Sequence, residues 1–142
     1  MPLAGFLTEE IREGRTRVGF RIETFAGDRD VLAHVDLTGP PRVGRYGVDL
    51  EAFERLALPA LEPPPDGVTI VDELGKMELA SARFRDAVTG LLDREAPLVA
   101  TVQASRHPFT DELKRRPDVE LVRLTRANRD DLPDALAARL LA

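Results

Sequence analysis

The sequence predicts an α/β fold: a mostly parallel sheet flanked by helices, entered through an antiparallel β meander. Three observations point there. Val68–Val71 and Leu98–Val102 are short, continuous apolar runs rich in β-branched residues, the pattern of strands buried on both faces. Helical periodicity fills the segments around them, as in right-handed crossovers of a parallel sheet. Nearer the start, Val18, Phe20, Ile22 and Thr24 alternate with Arg17, Gly19, Arg21 and Glu23, the period of a strand wet on one face.

The elements follow in order. Gly5–Ile11 reads as a strand, Glu13-Gly14-Arg15 as a turn, and Ala26-Gly27-Asp28 as a second turn before Val31–Val35 runs back. His34 reads as a partly buried structural residue. From Asp49, a plausible N-cap, Leu50, Phe53, Ala57, Ala60 and Leu61 share a helical face that Pro63–Pro65 ends. Ser81 caps a second helix with the face Phe84, Val88, Leu91 and Leu92. Thr110 is expected to cap a short helix through Arg116, with His107 a loop residue before Pro108. Val119–Leu124 is expected as a third strand. Leu132, Leu136 and Leu140 form the seam of a last helix, with Pro133 tolerated in its first turn. The chain therefore reads as a single domain over 1–142, with antiparallel strands over 1–38 and an α/β core over 39–142.

Composition narrows the function. The 142 residues suffice for one core. Twenty basic and 25 acidic residues leave a net charge of -5, so there is no strong case for nucleic acid. Cysteine is absent, which excludes disulfides and thiolate chemistry. His34 and His107 are the only histidines, and no spacing suggests a zinc site. No apolar run could span a bilayer and no signal-peptide pattern opens the chain, so a cytoplasmic location is expected. A single Asn (Asn128), a single Gln (Gln103) and many Arg and Glu hint at a heat-adapted or GC-rich source.

The chemistry concentrates after Val71. Asp72 and Glu73 stand at the end of a strand buried on both faces, where a carboxylate pair is expensive unless a cation or polar group meets it. Ligand crevices of open α/β sheets lie at those strand ends. Such a pair suits a magnesium-holding Asp with a neighbouring acid that orients or deprotonates the attacking water of a nucleotide hydrolase. It equally suits an acidic turn that caps the next helix. Lys76, four residues beyond Asp72, either neutralises transition-state charge or pairs with Glu73 or Glu78.

A second stretch, Gly39–Tyr46, nearly fits the phosphate-loop pattern G-x-x-x-x-G-K-[ST], with Gly39 and Gly44 correctly spaced. Arg45 stands where the Lys belongs, and the Tyr46 phenol cannot take the tight place of a Ser or Thr hydroxyl on magnesium. Pro40 and Pro41 also remove two backbone donors. The better reading is a Gly/Pro loop that presents Arg42 and Arg45, either to a phosphate or to surface acids. Arg126, Asn128 and Arg129 follow the expected last strand, where a nucleotide base commonly lies, or where a helix N-terminus is simply solvated.

VDELGKMEL at 71–79 resembles the Walker B region of a family of small P-loop nucleoside-triphosphatases of archaea and thermophilic bacteria, related to the animal cancer-related nucleoside-triphosphatase. GFLTEEIREGRTRVGF at 5–20, RVGRYGVDLEAFE at 42–54 and HPFTDELKRRPDVELVRLTRANRDDLP at 107–133 resemble the same family, in order along nearly the whole chain. The resemblance implies a RecA-like core and magnesium-dependent hydrolysis of ATP, GTP and other triphosphates to the diphosphate and phosphate. It gives Asp72 the magnesium ion, held through water, and Glu73 the attacking water. Members of the family open with a strand, a Walker A loop and a helix. Here Met1-Pro2-Leu3-Ala4 leads straight into Gly5-Phe6. A late start or truncation, a natural relative that has lost hydrolysis, or a cradle from another chain would each account for that. The expected consequences are an exposed sheet edge open to self-association, and a rival reading as a non-catalytic nucleotide-binding or interaction scaffold.

Overall fold

The computed structural model describes residues 1–141. Its centre is one seven-stranded sheet in which β1, Leu3–Glu13, lies between the antiparallel and the parallel parts and is longer at both ends than the expected Gly5–Ile11. β2 (Thr16–Thr24) and β3 (Arg29–His34) follow as the expected meander. The antiparallel pairing then continues past residue 38, through β4 (Arg42–Val43) and β5 (Tyr46–Val48). After α1 (Leu50–Ala60), strand β6 (Val68–Leu74) lies parallel to β1 on its other side. A 3-10 turn over Glu78–Ala80 leads to α2 (Ala82–Asp93), and β7 (Leu98–Val102) lies parallel to β6. The spatial order is β4-β5-β3-β2-β1-β6-β7, a mixed α/β sheet with its parallel part at β1, β6 and β7. Helices α3 (Pro108–Arg115) and α4 (Leu132–Leu141) complete the described elements.

Burial on one face of the sheet holds α1 and α2. Phe6 of β1, Phe53 of α1 and Phe84 of α2 are fully buried, with ring centroids 5.0 to 5.8 Å apart in edge and tilted contacts. Asp49 caps α1 as its sequence position implies, its Oδ1 accepting from the Ala52 N–H at 3.0 Å. The buried face of α1 is Ala52, Phe53, Leu56 and Ala57, so Leu56 joins the stripe and Leu50 and Ala60 fall to its margins. Ser81 caps α2 through the Phe84 N–H at 3.1 Å and donates to Glu54 at 2.7 Å, fastening α2 to α1. At Gly5 the backbone of β6 comes so close that a Cβ would meet the Ile70 carbonyl, and φ is +101°.

Two expectations are overturned. Val119–Leu124 is not a strand. Val119 N–H bonds Arg116 O in a turn, and Asn128 draws Arg123 O and Thr125 into another. A strand exists only with a ladder partner, and this stretch has none among the described residues, so Leu121 and Leu124 stay 59% and 63% exposed. The cap of α3 is His107, whose Nδ1 accepts from the Phe109 N–H at 3.1 Å; Thr110 instead donates to His107 O at 3.3 Å. An unprotonated imidazole nitrogen serves as the cap acceptor there, with Pro108 at the first helical position. The expected last helix forms over Leu132–Leu141, yet none of its residues is buried.

Candidate functional site

β6 carries the site because its apolar run ends in polar residues at the carboxyl end of the parallel part of the sheet. Asp72 and Glu73 leave that end in different directions. Asp72 turns toward β7, where its Oδ1 accepts from Thr101 Oγ1 at 2.6 Å. Its backbone carbonyl accepts from Thr8 Oγ1 of β1 at 3.1 Å, so neighbouring strands on both sides fix its place. Glu73 turns the other way, into a cleft of ≈ 240 Å³ lined by Thr8, Phe20, Val43, Lys76 and Glu78 among others. Burial, and secondarily the Asp72 charge, push the Glu73 carboxyl above its ordinary range.

Glu78 was considered in the sequence only as a possible partner of Lys76. It is 4% exposed, the one buried carboxylate among the described residues, and faces the same cleft. Its Oε2 accepts from the Gly75 N–H at 3.2 Å. Burial pushes its carboxyl up to about 7, with Glu73 and Asp72 adding to the rise and backbone N–H groups opposing it. A carboxylate between apolar Met77 and Leu79 was the signal in the sequence. Thr101 was missed as well. It is the one hydroxyl in Leu98–Val102, but only the register of β7 beside β6 shows that it reaches Asp72.

Lys76 is exposed at the cleft and forms no ion pair among the described residues, so the pairing with Glu73 or Glu78 is not made. Gly39–Tyr46 folds into the β4–β5 hairpin and not into a loop leading to a helix. Arg42 donates to Leu37 O at 3.0 Å and Arg45 O at 2.8 Å. Arg45 donates to Arg17 O, and with Arg17 to the Tyr46 phenol. Both guanidinium groups thus serve backbone carbonyls of the hairpin, of the turn before it and of β2, and the Tyr46 phenol. Neither lines the Glu73 cleft. Asn128 is committed to its own turn, accepting from Thr125 N–H at 2.7 Å and donating to Arg123 O at 2.8 Å. Arg126 is exposed beside it. The structure therefore brings Asp72, Glu73 and Lys76 together with Thr8, Thr101 and Glu78, and leaves Arg42, Arg45, Arg126 and Asn128 outside that cluster.

The chain as a whole resembles known proteins in sequence and in fold. A family model described as NTPase matches residues 1–137. The chain belongs to this nucleoside-triphosphatase family. It is 43% identical over 130 residues to nucleoside-triphosphatase THEP1 of Thermotoga maritima, covering 90% of this chain and 75% of that relative. It is 39% identical over 150 residues to the human cancer-related nucleoside-triphosphatase, covering 94% and 79%. The crystal structure of THEP1 from Aquifex aeolicus superposes with a TM-score of 0.87 at 37% identity, over 97% of this chain and 83% of that one. The solution structure of the human protein gives 0.79 at 38% identity, over 97% and 82%. The sheet flanked by helices and led by antiparallel strands is thus the fold of these nucleoside-triphosphatases. No helix among the described residues is long and apolar enough to cross a membrane.

Proposed function

We propose that the chain hydrolyses nucleoside triphosphates, ATP and GTP among them, to the diphosphate and phosphate in a magnesium-dependent reaction. The observation that carries this reading is the Asp72–Glu73 pair at the carboxyl end of β6, one carboxylate anchored to Thr101 and the other facing a cleft. Membership of the nucleoside-triphosphatase family supports it.

The donor set fits magnesium. No group of three or more His, Cys, Asp or Glu among the described residues forms a cage, and magnesium does not ask for one. It is usually held by one or two carboxylates together with waters and substrate phosphates. Asp72 is the residue that would hold it, its second oxygen left free by the Thr101 hydrogen bond. When bound, magnesium supplies charge neutralisation on the phosphates. Glu73 orients the attacking water and accepts its proton, a role for which a carboxyl raised above its ordinary range is suited. The Lys76 ammonium, unpaired at the cleft, supports the charge that builds on the transferred phosphoryl group. Arg42, Arg45, Arg126 and Asn128 would contact the nucleotide away from the reacting centre, and for Arg42 and Arg45 this requires release from the Leu37 and Arg17 carbonyls. A cytoplasmic location is part of the proposal, as expected from the sequence.

A second reading rests on the Gly39–Tyr46 hairpin, which offers no phosphate cradle. On that reading the chain is a non-catalytic scaffold that binds nucleotide weakly. Phosphate release from magnesium-ATP and magnesium-GTP by the wild-type chain and by Glu73→Gln separates the two. The hydrolase predicts release that falls by about 10²-fold or more in the variant while nucleotide binding persists. Turnover retained in the variant would refute the role of Glu73, and binding without release in the wild type would establish the scaffold.

A further inference from the structure

We infer that Glu78 is a positioning residue: it holds the Gly75 amide and thereby fixes the place of Glu73 at the mouth of the cleft. For its catalytic consequence this inference rests on the hydrolase reading above.

The reasoning starts from cost. A buried carboxylate is expensive without a cationic partner, and Glu78 has no ion pair among the described residues. Its hydrogen-bonded side-chain partner is the Gly75 N–H at 3.2 Å. A methionine or leucine would fill the same space more favourably, so packing alone does not account for a carboxylate here. Departures of this kind from local stability cluster at functional sites.

The geometry says what the carboxylate does. Gly75 follows the last residue of β6 and sits two residues beyond Glu73. Both of its polar groups are taken: the N–H by Glu78, and the C=O by the Leu79 N–H at 2.9 Å. The turn from β6 into the 3-10 helix is therefore closed by one backbone bond and one carboxylate bond. The two carboxylates also converge on the space where a side chain at 75 would begin. A Cβ built on Gly75 would lie 3.1 Å from Glu73 Oε1 and 3.1 Å from Glu78 Oε2. Glycine at 75 lets Glu78 reach the amide while Glu73 passes alongside, and Lys76 emerges from the turn so fixed. Moving this turn moves the groups that face the reacting phosphate, and a displacement on the order of 1 Å can cost about 10²-fold in rate.

Three variants and two readouts test the inference. In steady-state phosphate release, Glu78→Ala is expected to lower kcat by about 10²-fold with KM for magnesium-ATP changed by less than about twofold. Glu78→Gln keeps an oxygen acceptor for the Gly75 N–H and is expected to hold kcat within about threefold of wild type. Gly75→Ala, whose Cβ crowds both carboxylates without replacing either residue, is expected to lower kcat in the same way as Glu78→Ala. A Glu78→Ala variant with wild-type kcat, or a Glu78→Gln variant as impaired as Glu78→Ala, would overturn it. Hydrogen exchange at the Gly75 amide, read by NMR, needs no turnover. Protection should be lost in Glu78→Ala and kept in Glu78→Gln, and equal exchange in all three proteins would overturn the inference. If the wild-type chain releases no phosphate, the hydrolase reading fails, and the Gly75 amide decides the inference by itself.

Discussion

Replacing Glu78 by glutamine should change how stability depends on pH, by an amount that follows from its burial. The Glu78 carboxyl is raised from 4.5 to about 7 in the folded chain, with burial the main cause. Below 4.5 the folded and unfolded chains both carry the proton, and burial costs nothing extra. Between 4.5 and about 7 the unfolded chain releases it first, so the folded state binds more protons and stability falls as pH rises. Above about 7 the loss levels off at about 3 kcal/mol. The groups facing Glu78 act in the same sense: Glu73 and Asp72 oppose its ionisation, and Lys76 makes no ion pair that would relieve it. Glutamine fills the same volume and never ionises. Urea unfolding of wild type and Glu78→Gln, in magnesium-free buffer from about pH 4.5 to pH 8, compares the two directly. The variant should gain about 3 kcal/mol relative to wild type across that interval. Parallel stability curves would refute the reasoning, because they would mean that Glu78 ionises as easily folded as unfolded.

Two other outcomes are expected. Thr101→Val removes the hydroxyl that anchors Asp72 Oδ1 and should raise the magnesium concentration for half-maximal phosphate release by about 10-fold, with thermal stability little changed. Phe84→Ala opens the ring cluster shared with Phe6 and Phe53 and should cost about 3 to 5 kcal/mol in urea unfolding.

How much of the site was legible in the sequence depended on whether its residues are neighbours along the chain. Asp72, Glu73 and Lys76 lie within one short stretch behind an apolar strand, so their type and spacing announced a polar strand end. Glu78 lies in the same stretch, but only burial distinguishes it from a surface acid. Thr8 and Thr101 come from other strands, and no spacing rule ties them to Asp72. Arg42 and Arg45 drew attention through near-agreement with a phosphate-loop pattern. Their guanidinium groups meet carbonyls and a phenol brought close by the hairpin's fold, which spacing alone does not encode.

The sequence by itself determined the elements whose causes are local. Asp49 and Ser81 capped their helices, Pro63–Pro65 ended the first of them, and the alternation over 17–24 made a strand, because side-chain acceptors, missing amides and periodicity act within a few residues. Tertiary structure decided whatever needs a distant partner. Val119–Leu124 has the composition of a strand and is not one, since a ladder requires a second chain segment alongside. The cap of α3 is a local matter, with the His107 nitrogen accepting from Phe109 two residues on where a Thr110 hydroxyl was expected. The unusual state of Glu78 belongs to the tertiary level too. A carboxyl group's proton affinity is set by the water it has lost, and only packing from several elements removes that water.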